Sequence, residues 1–278
     1  MLVREWLSEF HDLRSLALQS GFNARSPFRI RLRDTSGGGA RYPLRANGIL
    51  HMHTANSARD GEVLDQCGRY FQEHGYGVLR GVLSRSEAEL CANYALIQTA
   101  QPDYFRFEEG YGSQGRYADA LTECLLLKVH PIMERVAGGA LFPCYSFLRI
   151  YQAGAELHRH VDRPSCEIST SLTLGMDSQQ PWPLHLESNG QPLAVNLAPG
   201  DMLLYRGADL PHWRERFEGT HWVQVFLHYV RADGPYADFR FDGREGIGPF
   251  DPARQRRLLD PVQEHAQEAG SSGPAAAT

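Results

Sequence analysis

The sequence of 278 residues has only five cysteines, at positions 67, 91, 124, 144 and 166, and no two of them stand in C-x-x-C spacing. An odd, scattered set argues against a disulfide framework and against a cysteine-based zinc site. Long apolar runs are missing too. No stretch approaches the roughly 18 residues of a membrane span, and the opening MLVREWLSEFHDLRS carries acids where a secretion signal has an apolar core. The chain is therefore expected to be cytoplasmic, with no membrane partner. Basic residues are not in excess: 28 Lys and Arg against 33 Asp and Glu leave a formal charge of −5, which gives no electrostatic reason to expect nucleic acid. The glycine-rich Ser36-Gly37-Gly38-Gly39 lacks the Gly-Lys-Ser/Thr ending that sets a lysine on a phosphate, so it reads as a flexible loop.

What the sequence does have is local patterning. At 42% hydrophobic and 22% charged the composition is globular, and the length suits one large domain with an extension better than two equal domains. Apolar residues at helical spacing predict helices over 1–20, 62–74, 86–99 and 117–137, the last broken or kinked near Pro131, with Ser86 and Glu89 in capping-box spacing. Strands are predicted at FRIRLRD (28–34) and GYGVLRGVL (75–83). From Tyr145 onward the period changes. YSFLRIY, ISTSLTLG, PLHLE, LAVNL, DMLLY and HWVQVFLHYV are short alternating runs separated by turn residues, the signature of an antiparallel sandwich or barrel.

Six of the twelve histidines fall between His158 and His228. Within Tyr151-Gln-Ala-Gly154-Ala-Glu-Leu-His158-Arg-His160-Val-Asp162, residues two apart share a face of an extended chain, so His158, His160 and Asp162 can point the same way and two of them can grip one metal ion. A ferrous oxygenase site needs two imidazoles and one carboxylate on one face of the metal. The later segment Pro199-Gly200-Asp201-Met-Leu-Leu-Tyr205 through Pro211-His212 offers a turn, an apolar strand and then a histidine. His51-Met52-His53 has metal-pair spacing but no carboxylate partner and is read as chance, while His185 and His228 are read as structural.

On these residues the chain resembles the non-haem iron(II) and 2-oxoglutarate dependent oxygenases. The resemblance spans roughly residues 75 to 231. Tyr151, Gly154, His160 and Asp162 match the prolyl-4-hydroxylase-like pattern, Gly200-Asp201 followed by His212 matches the approach to the distal histidine, and GYGVLRGVLSRSEAEL is similar to the opening of phytanoyl-CoA-dioxygenase-like members. The resemblance implies an α+β fold whose core is a double-stranded β-helix, a cupin-like jelly roll with N-terminal helices packed on it. It also implies iron ligands His160, Asp162 and His212, and the cosubstrates 2-oxoglutarate and O2. Retention of Asp162 favours hydroxylation, since halogenating relatives carry a small residue there.

One departure stands out. Where the family places an arginine or lysine for the distal carboxylate of 2-oxoglutarate, two residues past a glycine, this chain has His221 after Gly219. A histidine is a weaker anion anchor than a permanently charged arginine. Arg149 and Tyr151, on one face of the strand leading into the metal motif, are expected to hold the cosubstrate with His221, and Thr173, on a face with Ser169 and Ser171, to add a hydroxyl. Arg163, Trp182, Arg206 and Trp213 are expected to border the mouth. The expected organisation is an extension over 1–60, the oxygenase domain over 61–250, and a C-terminal helix and disordered tail over 251–278. The expected activity is hydroxylation of a small metabolite, an amino acid or natural-product intermediate, with release of succinate and CO2. The alternatives are a peptide or protein substrate, or a cupin-like module that binds metal without turnover.

Overall fold

The computed structural model describes residues 49–51 and 57–248. These lie in one of the chain's two compact units, Leu44–Thr278. The helix and strand expected before residue 48, the glycine-rich loop, His53 and the tail after 248 lie outside the described residues. In chain order the elements are β1 (Ile49–His51), α1 (Ser57–His74), β2 (Tyr76–Arg80), α2 (Arg85–Gln98), β3 (Arg106–Glu108), β4 (Ser113–Tyr117) and α3 (Ala120–Ala137). Eight strands follow: β5 (Leu141–Gln152), β6 (Leu157–His160), β7 (Ile168–Asp177), β8 (Leu184–Ser188), β9 (Gln191–Val195), β10 (Met202–Tyr205), β11 (His212–Arg214) and β12 (His221–Arg231). Among the described residues no helix is long and apolar enough to cross a membrane.

The strands form an eight-stranded sheet, β1-β2-β10-β7-β12-β5-β4-β3, and a four-stranded sheet, β6-β11-β8-β9. Every ladder is antiparallel except β1 with β2. Successive strands from β5 onward alternate between the two sheets until β8 and β9 pair, which is the winding of the double-stranded β-helix. The large sheet is covered on both sides, and β12 shows how. Val223, Val225, Leu227 and Tyr229 join the cluster that includes Leu125, Leu126, Val129 and Met133 of α3. Trp222, Phe226 and Val230 belong to an aromatic cluster inside the barrel. Burial on both faces is why HWVQVFLHYV reads as a nearly continuous apolar run. The hydroxyl of Tyr229 donates to the carbonyl of Leu126 at 2.6 Å, so the one polar atom on the helix side is satisfied.

The structure corrects three local expectations. The capping box that opens α2 is Ser84 with Glu87: the Glu87 amide donates to Ser84 Oγ, and the Ser84 amide donates to Glu87 Oε2 at 2.8 Å. Ser86 and Glu89 have the same spacing, but they lie one step inside the helix, where Glu89 pairs with Arg85 at 2.9 Å instead. Helix α3 starts at Ala120, capped by Asp119, and residues 113–117 are strand because the edge of β5 offers them a ladder. It runs continuously through Pro131, whose missing N–H leaves only the half-exposed turn at Leu127 short of a bond.

Ser84 bonds hold the Glu87 carboxyl down to about 2, against an ordinary value near 4.5. A depressed carboxylate contributes stability that is present above its unfolded value and is lost as pH falls through the folded one, here between pH 4.5 and 2. Replacing Ser84 with alanine is expected to cost about 1 kcal/mol. Thermal melts should show a drop of roughly 2–4 °C at neutral pH that shrinks towards pH 2.

Candidate active site

His160 and His212 lie directly opposite each other on neighbouring strands β6 and β11, with ring centroids 4.3 Å apart. Asp162, just past the end of β6, is fixed by its amide, which donates to the carbonyl of Gly207 at 2.9 Å. Its Oδ1 lies 3.5 Å from His160 Nε2 and 3.6 Å from His212 Nε2. The tautomers follow from the other ring nitrogens. His160 Nδ1 is 2.7 Å from the carbonyl of His158, and His212 Nδ1 is 2.9 Å from that of Leu210. A carbonyl only accepts, so both Nδ1 atoms carry a proton, and in the neutral imidazole each Nε2 is left to coordinate beside Asp162 Oδ1. Three converging acceptors call for a cation. Two imidazole nitrogens and one carboxylate oxygen are the donor set of a non-haem iron(II) centre.

Burial opposes the charge on Asp162, but His160 and His212 outweigh it and hold the carboxyl below its ordinary value. His212, almost fully enclosed, is pushed down by burial. His160 is held above its ordinary value, because Asp162 and the His158 carbonyl overcome the opposing burial. The other carboxylate oxygen, Oδ2, is buried without a hydrogen-bond partner among the described residues. It lies towards Cys166 and His228, which form a second cluster with Asp162. Burial drives the Cys166 thiol up to about 12 and His228 down to about 4, so both are neutral at pH 7.

The triad opens into a cavity of about 470 Å³. Its walls include Tyr111, Tyr117, Tyr145, Phe147 and Phe226, with Glu108, Arg149 and Arg163 as charged side chains besides Asp162. Arg149 reaches the cavity from β5 but is held by Glu108 in a bidentate pair, Nε to Oε2 at 2.9 Å and Nη2 to Oε1 at 3.0 Å. Tyr151 is buried behind it, its hydroxyl 3.3 Å from Arg149 Nη1. Arg163 is likewise bidentate, to Asp242 at 2.9 Å.

The other expected contacts fall elsewhere. His221 begins β12 opposite Gln152 and Asp177, seven residues before His228 and so roughly 20 Å from the metal end of the strand. It does not line the cavity, and neither does Thr173, whose hydroxyl donates to Gln224 Oε1 at 3.1 Å. Trp182 is buried inside the barrel, Trp213 stacks on His185, and Arg206 packs over Phe71, so Arg163 alone of the four expected mouth residues lines the cavity. His158 is exposed, near Glu156.

Glu108, Tyr205 and Gly207 also shape the site, the first two on the cavity wall and the third against Asp162. Glu108 and Gly207 carry no local signal, since one is brought in by an edge strand and the other by a loop.

No protein-family model matches the sequence, and no curated protein matches it. Solved structures do match. The 2-oxoglutarate dependent epimerase SnoN from nogalamycin biosynthesis is 15% identical over 69% of this chain and 93% of its own, with a TM-score of 0.56. A prolyl-4-hydroxylase from Pseudomonas putida is 15% identical over 60% of this chain and 98% of its own, with a TM-score of 0.51. A prolyl hydroxylase from Trichoplax adhaerens, solved with a peptide of the hypoxia inducible factor, is 14% identical over 67% and 96%, with a TM-score of 0.52. The fold is that of the 2-oxoglutarate and iron(II) dependent oxygenases. Within this oxygenase fold, the cavity beside the triad lies between the two sheets, at the end of the barrel where β6 and β11 place their histidines.

Gly207 gives this site little slack. A Cβ there would sit 2.5 Å from Asp162 Oδ2, 2.6 Å from the Cys166 carbonyl and 2.7 Å from Ser169 Oγ. Gly207→Ala is therefore expected to displace Asp162 and weaken iron(II) binding by about 10–100-fold. Metal titration checks this, with circular dichroism confirming an intact fold.

Proposed function

We propose that the chain is an iron(II) and 2-oxoglutarate dependent dioxygenase that hydroxylates an unactivated C–H bond of a small metabolite, such as an amino acid or natural-product intermediate, with release of succinate and CO2. The observation that carries the reading is the convergence of His160 Nε2, Asp162 Oδ1 and His212 Nε2 on one point at the wall of the cavity. These three residues would hold the metal. When bound, iron with 2-oxoglutarate and O2 supplies the oxidising power that a protein side chain lacks. The chain's own residues then position and shield. Tyr205 packs edge-on against His212, their centroids 4.9 Å apart, and fixes its ring plane. Phe147, Phe226 and the tyrosines exclude water from the reacting C–H bond, and the Glu108–Arg149 pair gives the wall one polar patch.

The volume of about 470 Å³ supports a small substrate. The related folds include enzymes named for a small natural product and for a peptide, so substrate size is part of the test. Anaerobic protein with iron(II) should give a charge-transfer absorption on adding 2-oxoglutarate. In air it should release succinate, faster with small polar candidates than with peptides. Absence of both signals would leave a binding module, and turnover with peptides alone would overturn the substrate class.

A further inference from the structure

Two guanidinium groups line the cavity, and their donors are used differently. An arginine carries its N–H groups in a planar fork, with one edge formed by Nη1 and Nη2 and another by Nε and Nη2. Arg149 gives the Nε edge to Glu108 and turns Nη1 to the Tyr151 hydroxyl, while its Cζ lies 4.8 and 5.0 Å from the ring centroids of Tyr111 and Phe147. It is a packed wall component. Arg163 gives Asp242 only the edge formed by Nη1 and Nη2, at 2.9 Å for each bond, which leaves its Nε edge without an acceptor among the described residues. Exposure shows which partner stands in front. The Arg163 side chain is 33% exposed and lines the cavity, whereas that of Asp242 is 2% exposed and does not, so the aspartate sits behind the guanidinium.

The backbone is bent to keep that aspartate in place. Phe241 and Asp242 both have φ of 56°, and Gly243 follows at 71°, a left-handed run that side chains other than glycine rarely enter. Two such residues in succession persist only where their surroundings over-determine them, and such strain gathers at functional sites. Here Asp242 is fixed by Arg163 and by the Tyr117 hydroxyl, which donates to Oδ2 at 2.6 Å. On its other side Arg163 lies flat on Tyr145, its Cζ 4.7 Å from the ring centroid. A carboxylate behind and a ring beneath thus set the orientation of the guanidinium. Arg163 directly follows Asp162, so its open edge belongs to the same stretch of wall as the metal ligands, with Phe147, Leu157, Val161 and Phe226 as apolar neighbours around the cavity. Two parallel N–H groups in apolar surroundings match a planar anion with two oxygens, a carboxylate on an apolar body.

We propose that Arg163 is the specificity-determining residue of the cavity and selects a small substrate by its carboxylate. This rests on the oxygenase reading above and names its substrate class. The test is calorimetry on anaerobic protein loaded with iron(II) and 2-oxoglutarate, titrated with phenylacetate, 3-phenylpropanoate and hexanoate, each against its primary amide. At least one acid should bind about 10–100-fold tighter than its amide, as hydrogen bonds between charged groups predict. The double variant Arg163→Met with Asp242→Asn, which leaves no orphaned charge, should bring acid and amide to within a few-fold. Arg163→Lys, which keeps the charge if the double variant does not fold, should retain only part of the preference, because lysine has no fork. Glu108→Gln with Arg149→Met should keep the wild-type preference. No preference in wild type, an unchanged preference in both Arg163 variants, or its loss in the Arg149 variant overturns the assignment. So does a fall in 2-oxoglutarate affinity in the Arg163 variants as large as the fall for the acids, which would put the open edge on the cosubstrate. The oxygenase reading fails separately, if wild type gives no charge-transfer absorption on adding 2-oxoglutarate, and acids that still outbind their amides on such protein leave the Arg163 site standing.

Discussion

Asp162→Ala is expected to abolish iron(II) binding at micromolar metal and, with it, any iron-dependent succinate release. The carboxylate supplies the only negative charge among three donors, and its Oδ1 is the atom that both Nε2 atoms approach. Without it two neutral imidazoles remain, and the loss should exceed the 10–100-fold that follows from disturbing a residue behind a metal ligand. The apo protein should melt slightly earlier at neutral pH, because the two histidines outweigh burial and hold the carboxyl below its ordinary value. The loss should be small, since the amide bond to Gly207 does not depend on the side chain. His160 should respond as well, its pKa dropping once the Asp162 bond that raises it is gone. Metal titration, thermal melts and histidine NMR measure these three effects separately. Wild-type iron affinity in the variant would remove Asp162 from the ligand set.

The histidine pair on β6 and β11 was legible because strand alternation and turn residues fix where such side chains can point. The approach through Gly200-Asp201 placed His212 on a strand facing the first motif, and the ladder pairs it with His160 directly. The cosubstrate contacts were less legible. Counting from Gly219 reaches His221, but which residues of a strand face inward is decided by what fills the interior. Trp222, 1% exposed, occupies it here. Burying an indole, with its N–H satisfied by Gln224 at 2.8 Å, outweighs any preference of the histidine for that side. Arg149 was placed correctly on the cavity face of β5, yet its partner Glu108 could not be foreseen. Arg106–Glu108 and Ser113–Tyr117 are short and polar, and they become strands only through the edge of β5.

The largest effect on stability should come from Glu123, far from the metal. Its side chain is 1% exposed in the first turn of α3. Oε1 accepts from the Ser146 amide at 2.9 Å and hydroxyl at 2.8 Å, and Oε2 accepts from Arg244 Nη1 at 3.0 Å. One carboxylate thus joins α3, β5 and the segment after β12. Glu123→Ala would leave Arg244 enclosed without its anion and the Ser146 amide without its acceptor. That is expected to cost about 3–5 kcal/mol, or on the order of 10 °C in Tm. Replacing both partners, Glu123→Met with Arg244→Met, should restore much of the loss, because two apolar side chains carry no desolvation penalty. The damage should also reach the cavity. Asp242, two residues from Arg244, takes a hydrogen bond from Tyr117 at 2.6 Å and holds Arg163 on the cavity wall. Even at temperatures where Glu123→Ala stays folded, the wall from Tyr117 to Arg163 should loosen. Substrate affinity should then fall more than iron affinity, since the three metal ligands hang on β6 and β11 in the other sheet. Equal losses of both would show instead that the two sheets yield together.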